Sequence, residues 1–422
     1  MPSVLELVVI GAVALCVMTV LLAVVFVQLI FHMAWVLQMA PPLRGKRVRR
    51  ITLFNLFFWM TALAICFILV AFASFTISYS VSDTFSFVFS QIFNFALGAG
   101  FIFTVSVIPV TVIEIIYLVA FLINSSIKNK KPVWVDKLDS TFYIVQGFLS
   151  LFAFGLAAVL IIMGTVVGLY PSFKTYEINA SANPTKTATI IHLSDLHLGT
   201  VRPEGWLQMV VDMVNEKIGD DDAAYVVITG DIMDDDIDAF EAAADPFADL
   251  VTTPLGRTIA IAGNHDAMDE EGEFRLILNK RGVKLLINEA LETDHFFFAG
   301  VNTLQEMRGD INTPANITEA LEALEALVAA SSETLPGVYL VHQPQDFSEP
   351  TASNNVHLML SGHTHAGQLW PLTWAINLMW ECPSGQCDID GTPVIVNQGT
   401  GSWGTVMRLG AYAEIGVITV NY

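Results

Sequence analysis

The chain has 422 residues, of which 54% are hydrophobic, and a formal net charge of −21 at pH 7. Residues 1–170 carry nine Lys and Arg against five Asp and Glu, whereas residues 171–422 carry eleven against thirty-six. So acidic a second half would repel nucleic acid, and we therefore exclude DNA and RNA as partners. The length predicts two parts, the second long enough to bury a core of its own.

Long apolar runs are concentrated in the first half, and a helix that crosses a bilayer needs about 20 such residues. We therefore predict a four-helix transmembrane region over residues 1–170. Its spans are placed at 5–31, 53–75, 93–123 and 142–169. The third span contains Pro109 and Glu114, and we interpret it as one tilted, kinked helix.

The loops between these spans predict the orientation in the membrane. Residues 44–50 contain five Lys and Arg, residues 128–137 contain four, and residues 76–92 contain none. Basic loops remain in the cytoplasm, and two spans between them keep both on that side. We therefore predict an integral protein of the plasma or inner membrane whose second half lies outside the cytoplasm.

The cysteines agree with this location. Cys16 and Cys66 lie in predicted spans and are expected to be buried apolar residues. Cys382 and Cys387 lie close together in the second half, where an extracytoplasmic pair is expected to form a local disulfide. A metal-binding pair is the alternative, but this half contains no further cysteine to complete such a site.

The second half has the pattern of an α/β domain. A polar connector is predicted at 171–187, and the domain proper at 188–422. Strands are predicted at 189–193, 225–229, 258–262, 296–301, 337–341, 357–361, 393–397 and 414–420, and helices at 204–217, 237–251 and 317–330. Strands alternating with helices are typical of an α/β sheet with a site along one edge. His192 and His357 fall within predicted strands and are expected to be core residues.

Five of these predicted strands are followed by side chains of the types that bind metal ions in proteins. They are Asp195 and His197; Asp231; Asn264, His265 and Asp266; His342; and His363 and His365. Carboxylate, imidazole and amide groups suit divalent Mn, Fe or Zn. In D-x-H and H-x-H, both ligand side chains lie on one side of an extended segment. Seven or eight ligands exceed what one ion takes, so the pattern favours two ions that share a carboxylate.

In these residues the chain resembles the calcineurin-like metallophosphoesterases. Their motifs D-x-H, G-D-x-x-D, G-N-H-[DE], H and G-H-x-H occur in order over about residues 190–370. The Gly-rich stretch 399–404 and Arg408 are similar to the membrane-anchored bacterial branch with N-terminal transmembrane helices. That branch usually has a glycine where this chain has Ala366, and we expect only a small local adjustment there. The resemblance implies a two-sheet β-sandwich flanked by helices.

The same resemblance implies a role for each residue. One metal ion would be bound by Asp195, His197, Asp231 and His365, and the other by Asp231, Asn264, His342 and His363. His265 would contact the phosphate and protonate the leaving oxygen, with Asp266 orienting it. A histidine held by a carboxylate is a good general acid near neutral pH. Asp234 would support its loop rather than bind metal.

Together these features predict a membrane-anchored, metal-dependent phosphoric ester hydrolase. A metal-bound hydroxide would attack a phosphomonoester, phosphodiester or pyrophosphate bond in a small molecule or a lipid, with lipid-linked and envelope substrates among the candidates. The alternative is a non-catalytic membrane sensor or scaffold that binds a phosphorylated ligand at the metal site. A transporter with an accessory domain would rest on Glu114 alone.

Overall fold

The structure is a computed structural model, and the chain divides into two units, residues 1–163 and 164–422. It describes residues 155–199, 202–234, 236–266, 271–301, 314–345 and 347–422, with scattered helical residues at 94–116 and 152–153. The predicted spans 5–31 and 53–75, Glu114 with most of the span 93–123, and residues 142–151 of the fourth span lie outside the described residues. Residues 155–169 are helical. Within the described ranges, no helix combines the length and the apolar character needed to cross a bilayer.

In the second unit, the described residues contain twelve strands in two mixed sheets of six. In chain order they are β1 (Ser172–Asn179), β2 (Thr187–Leu193), β3 (Ala224–Thr229), β4 (Thr258–Ile261), β5 (Lys284–Leu285), β6 (Glu289–Glu292), β7 (Phe297–Gly300), β8 (Gly337–Leu340), β9 (Leu358–Ser361), β10 (Gly385–Ile389), β11 (Thr392–Val396) and β12 (Glu414–Asn421). Sheet 1 has the order β1-β12-β2-β3-β4-β5, and sheet 2 has the order β10-β11-β9-β8-β7-β6. Strands β2 to β5 are parallel neighbours, and so are β7, β8 and β9.

Helices connect and flank these strands. They are α1 (Glu204–Ile218), α2 (Ile237–Ala243), α3 (Glu271–Lys280), α4 (Pro314–Ala330), α5 (Ser348–Ala352) and α6 (Leu372–Ala375). The helix predicted at 237–251 is shorter than expected: α2 ends at Ala243, and a 3-10 turn follows at Asp245–Asp249. Pro246 lies at the start of that turn, where its ring and missing N–H prevent the α-helix from continuing.

A shared apolar core joins the two sheets. In β3, Tyr225 and Val227 point into the core that also contains Phe298 of sheet 2. The intervening Val226 and Ile228 point to the opposite face, where they pack with buried residues of α1, α2 and α3. Successive side chains of a strand face opposite sides, so a strand covered on both faces is apolar throughout. The structure therefore confirms two mixed sheets with flanking helices.

The predicted connector at 171–187 contains a strand. Residues of β1 pair in parallel with β12, and the Tyr176 hydroxyl donates to the Glu414 carboxylate at 2.7 Å. Only Tyr176 and Ile178 of this strand are buried. Its other side chains are exposed and, apart from Phe173, polar, which gave the segment the appearance of a linker. This segment is thus part of sheet 1.

The predicted disulfide is confirmed, because Cys382 and Cys387 are bonded. Cys382 is fully buried in the core between the sheets, and Cys387 lies in β10. The bond therefore attaches the segment before β10 to sheet 2. The alternative of a metal-binding cysteine pair is excluded in this state.

His192 is a core residue, as predicted from its position in a strand. It is fully buried, and its Nε2 lies 2.8 Å from the Thr229 hydroxyl, which in turn donates to Ser194 Oγ. Since the Thr229 proton is used on Ser194, His192 Nε2–H must be the donor to Thr229. Burial lowers the pKa of His192 to about 3. The ring is therefore neutral in the folded chain.

We expect His192 to make the domain sensitive to acid. Its pKa in the unfolded chain is about 6.5, so the unfolded state binds more protons between that value and about 3. Stability should therefore be lost as the pH falls through this window. His192→Gln, which retains a donor for Thr229, should reduce the loss by about 1 kcal/mol per pH unit. Scanning calorimetry of the full chain at pH 7 and pH 5 measures this, and an equal decrease in both proteins would contradict it.

Candidate metal centre

The candidate site lies where strands of both sheets end. Sheet 1 supplies the residues after β2, β3 and β4, and sheet 2 supplies those after β8 and β9. In the part of the chain that the structure describes, three groups have donor atoms within 4.8 Å of one another: Asp195, His197 and His365; His197, Asp231 and His265; and Asp231, His342 and His363. Because the carboxyl ends of parallel strands meet at one edge of a sheet, residues far apart in sequence converge there.

The first predicted ligand set is assembled around His365. Its Nε2 lies 3.2 Å from His197 Nε2 and 3.4 Å from Asp195 Oδ1. His197 Nε2 is also 3.7 Å from Oδ2 of Asp231. The Asp195 carboxylate additionally accepts the backbone N–H of His363, which joins the two sheets at this point. The structure therefore brings Asp195, His197, Asp231 and His365 together.

The second predicted set is assembled around His342. Its Nε2 lies 3.3 Å from Asp231 Oδ2, 3.2 Å from Asn264 Oδ1 and 3.2 Å from His363 Nδ1. One oxygen, Oδ2 of Asp231, is thus close to both sets. That is the arrangement in which a carboxylate can bridge two ions.

The donor atoms of the second set suit a cation. His342 Nδ1 lies 2.7 Å from the Thr229 carbonyl oxygen, so this nitrogen carries the proton that is donated. In the neutral ring, Nε2 then presents a lone pair toward a carboxylate, an amide oxygen and the Nδ1 atom of His363. Lone pairs that converge in a buried site are stabilised by a cation.

The protonation of this set is consistent with that interpretation. Burial by itself lowers the pKa of His342, but the carboxylates of Asp231 and Asp195 raise it to about 10. Burial would raise the pKa of Asp231, yet the imidazoles of His342, His265 and His197 hold it well below its usual range. Without a metal, a proton on His342 therefore provides the positive charge that Asp231 requires. A divalent ion would displace that proton.

The two histidines that follow β9 are neutral. Burial is the main cause, and the neighbouring His342 the second, of a pKa of His363 that is lowered to about 3. Burial, His197 and Arg408 lower the pKa of His365 well below its usual value. Neutral imidazole is the form that binds metal ions. Both side chains are thus in the protonation state of a ligand.

The two predicted catalytic residues lie beside the ligands. His265 is half-buried, its backbone N–H donates to Asp231 Oδ1 at 2.9 Å, and its ring centroid is 4.9 Å from that of His197. The ring is close enough to His197 and Asp231 to join them on one ion. Its assignment to proton transfer rather than metal binding stays a prediction.

Asp266 is fully buried and connects two loops. Its carboxylate accepts the backbone N–H groups of Gly263 at 2.8 Å, Ile232 at 3.0 Å and Met233 at 2.8 Å. These bonds hold the loop that carries Asp231 against the loop that carries His265. That Asp266 also orients the His265 ring stays a prediction.

Several predicted ligands have left-handed backbone conformations, which most residues avoid. The φ angles are 52° at Asp195, 46° at His197, 49° at Asp231, 70° at His363 and 49° at His365. Such conformations cost about 1–2 kcal/mol each and are common at functional sites. Ala366 also has a φ of 50°. Glycine adopts this conformation more readily than alanine, and the grouped donor atoms are brought together with alanine at this position.

Two glycines of the motifs allow close approach of the loops. A Cβ on Gly263 would lie 2.2 Å from Asp231 Oδ1, and a Cβ on Gly362 would lie 1.8 Å from Ser194 Oγ. Either side chain would push a ligand-bearing loop away from the centre. The close packing of these loops therefore explains why the motifs G-N-H-D and G-H-T-H begin with glycine.

Other residues near the centre were not predicted to have a role there. The Trp380 ring lies 5.6 Å from that of His363, and Trp403 lies 6.3 Å from His265. A cavity of about 630 Å³ next to His363 is also lined by Trp380, Gln343 and other residues. No regular spacing in the sequence points to these side chains.

Arg408 supports His365 from behind. It is fully buried, its guanidinium donates to the Gly401 carbonyl at 2.7 Å, and the same nitrogen lies 3.2 Å from His365 Nδ1. The sequence indicated Arg408 only through the similarity of the chain's ending to the bacterial branch. Asp234 lies similarly behind His197, with its Oδ1 atom 3.5 Å from His197 Nδ1.

Comparison with known proteins agrees with this geometry. Residues 188–367 match the family model for calcineurin-like phosphoesterases. A "transmembrane protein with metallophosphoesterase domain" from Danio rerio is 34% identical over 237 residues, which cover 54% of this chain and 51% of the relative. An uncharacterized metallophosphoesterase of Helicobacter pylori (strain J99) is 29% identical over 54% of this chain and 59% of its own length.

A third relative is matched almost completely. An uncharacterized metallophosphoesterase of Aquifex aeolicus is 28% identical over 61% of this chain and 98% of its own length. The chain spans just over half the length of the Danio and Helicobacter relatives. The region from residue 188 to residue 367 is therefore a metallophosphoesterase domain of the calcineurin-like family, with grouped residues able to bind metal.

Proposed function

We propose that this chain is a membrane-anchored phosphoric ester hydrolase that uses two divalent ions, Mn, Fe or Zn. The observation that supports two ions best is the position of Asp231 Oδ2, 3.7 Å from His197 Nε2 and 3.3 Å from His342 Nε2. Each of these nitrogens belongs to a separate group of donors. A single ion could not use both groups fully.

The residues divide into two ligand sets and one proton-transfer group. Asp195, His197, Asp231 and His365 would bind one ion, and Asp231, Asn264, His342 and His363 the other. Bound ions would supply Lewis acidity and charge neutralisation at the phosphoryl group. His265 holds its ring beside the ligands and is half-buried. It can give a proton to the departing oxygen of a phosphomonoester, phosphodiester or pyrophosphate.

The membrane anchor and the extracytoplasmic location are supported by sequence. Residues 1–170 hold the four long apolar runs and the two basic loops. The Danio rerio relative is likewise named a transmembrane protein. An anchored domain would encounter phosphorylated lipids and lipid-linked envelope precursors as well as soluble phosphoesters.

The proposed function is tested by metal removal and return. The full chain would be stripped with EDTA, then assayed with bis(p-nitrophenyl) phosphate and p-nitrophenyl phosphate before and after Mn²⁺ is added, with bound metal measured in parallel. We expect hydrolysis only after metal returns, at two ions per chain. Two bound ions without hydrolysis across a broad phosphoester panel would instead favour a sensor or scaffold. No bound metal would overturn both functions.

A further inference from the structure

One surface segment next to the metal centre is unusually apolar. We call Leu369–Trp380 the aromatic segment; it contains α6 and the 3-10 turn Ile376–Leu378. Trp374, Leu378 and Met379 are 66%, 74% and 75% exposed, and Trp370 and Leu372 are about half exposed. Large apolar side chains exposed side by side mark an interaction surface more often than ordinary solvent-facing surface.

The aromatic segment is also uncharged. No Asp, Glu, Lys or Arg occurs between Glu349 and Glu381, although Asp and Glu outnumber Lys and Arg thirty-six to eleven in residues 171–422. An acidic domain is repelled by anionic surfaces, including those of most membranes. This stretch is a part of the domain that can approach such a surface without that repulsion.

Both ends of the aromatic segment are joined to the metal centre. At its start, Leu369 bridges to Leu409, whose neighbour Arg408 lies against His365. At its end, the Trp380 ring packs edge-on against His363. The aromatic segment therefore forms a rim beside the predicted ligands His363 and His365 and the cavity next to His363. Whatever this rim contacts lies close to the predicted metal centre.

The helix that precedes β1 meets the same stretch of chain. The Arg408 backbone N–H donates to the Gly164 carbonyl at 2.9 Å, and the Trp370 N–H donates to the Leu409 carbonyl at 2.7 Å. A Cβ on Gly168 would lie 1.7 Å from the Val406 carbonyl oxygen, so the helix packs tightly there. The predicted fourth span, 142–169, ends at this helix. The last residues of that predicted span therefore pack beside the attachment point of the aromatic segment.

We propose that the aromatic segment inserts into the interfacial region of a lipid bilayer and presents the metal centre to phosphoesters carried by lipids. Tryptophan prefers this region because its ring is apolar while its N–H still reaches water. An uncharged rim with exposed Trp, Leu and Met fits a lipid surface. The lipid substrate class rests on the hydrolase function proposed above, whereas the bilayer contact does not depend on it.

The contact is tested with a fluorescent label on the full chain. In a chain with Cys16→Ser and Cys66→Ser, Leu378→Cys would be labelled with NBD and compared with Leu255→Cys, an equally apolar site that is 62% exposed. The Cys382–Cys387 bond is kept by avoiding reductant. The samples would contain phosphatidylcholine–phosphatidylglycerol vesicles.

The two labels should behave differently. At position 378 we expect a blue-shifted emission that is quenched by doxyl lipids and not by iodide. At position 255 we expect the emission of a label in water, quenched by iodide and not by doxyl lipids. Water-like emission and iodide quenching at both positions would overturn the proposal. Shielding at 378 that grows with protein concentration and does not need vesicles would also overturn it, because the occupant would then be protein.

The substrate class is tested with charged variants. One double variant carries Trp374→Glu and Leu378→Glu. Its control carries Leu255→Glu and Leu276→Glu, because these two leucines are 62% and 59% exposed elsewhere on the domain. We expect the first pair to lower hydrolysis of a long-chain p-nitrophenyl phosphodiester in vesicles by roughly tenfold or more, because two apolar side chains leave the bilayer. Hydrolysis of soluble bis(p-nitrophenyl) phosphate should not change.

The outcomes separate the two proposals. Equal rates for both substrates in both variant pairs would overturn the lipid class while leaving the hydrolase intact. A loss shared by the soluble substrate would also overturn it, since the effect would then be structural. If the unmodified chain with metal hydrolyses neither substrate, the proposed function fails, and the label at position 378 alone decides the bilayer contact.

Discussion

Asp231→Asn should abolish the metal-dependent hydrolysis. Its Oδ2 is close to His197 and His342, and its Oδ1 accepts the backbone N–H of His265, so one side chain serves both ligand sets and the proton-transfer loop. The amide has the same shape but no charge to share between two ions. Metal ions contribute several kcal/mol to phosphoryl transfer, so kcat should decrease by roughly 10³-fold or more. Bound metal should decrease from two ions per chain to one or none.

The control for Asp231→Asn is Asp234→Asn. Asp234 lies behind His197 rather than among the donor atoms, with 3.5 Å between its Oδ1 atom and His197 Nδ1. Groups that orient a ligand in this way affect metal affinity or activity by roughly 10–100-fold when replaced. We therefore expect a partial loss that added Mn²⁺ restores. An Asp231→Asn chain with two bound ions and nearly normal kcat would show that this carboxylate does not bridge.

The second large effect is expected for His265→Ala. If His265 donates a proton to the departing oxygen, kcat should fall by roughly 10²–10⁴-fold, the range that general acid catalysis supplies. The loss should be large for alkyl phosphoesters, whose alkoxide leaves poorly, and small for p-nitrophenyl esters. Rates measured across a series of leaving groups would show this dependence. Bound metal should not change.

His295→Ala is the control for His265→Ala. The His295 ring lies 2.6 Å from the Tyr422 hydroxyl and has no place among the metal-site groups. The His295→Ala substitution should leave kcat unaltered for every substrate. The structure also places His265 within reach of an ion shared with His197 and Asp231. If His265→Ala reduces bound metal and slows all leaving groups equally, His265 is a ligand and another group supplies the proton.

The site could be predicted because its residues follow recognisable strands. The apolar runs before Asp195, Asp231 and Asn264 are buried on both faces, and such strands contrast clearly with polar surroundings. Parallel strands end at a common edge, so side chains at their carboxyl ends converge without further information. The ligands after β8 and β9 followed from the same argument. The resemblance alone placed Asp231 in both sets, and the sequence could not show that its Oδ2 atom is the one close to both.

Other features depend on contacts that no local pattern contains. β1 pairs with β12, about 240 residues later, and only two of its side chains are buried. The left-handed backbone of five ligands is imposed by the packed loops, and only the neighbouring glycines hint at it. The apolar residues of the aromatic segment have no regular spacing, so their exposure could not be predicted from the sequence. The predicted spans 5–31 and 53–75 lie outside the described residues and stay predictions.

Each predicted ion would act as a cross-link between the two sheets. The first set combines residues that follow β2 and β3 with His365 after β9, and the second combines Asp231 and Asn264 with His342 and His363. Such an ion can bind only when the two sheets are packed together. Its binding therefore increases the free energy of unfolding of the domain. The domain should therefore be most resistant to proteolysis where metal is abundant. In a metal-poor compartment, an inactive chain would also be the one most easily degraded.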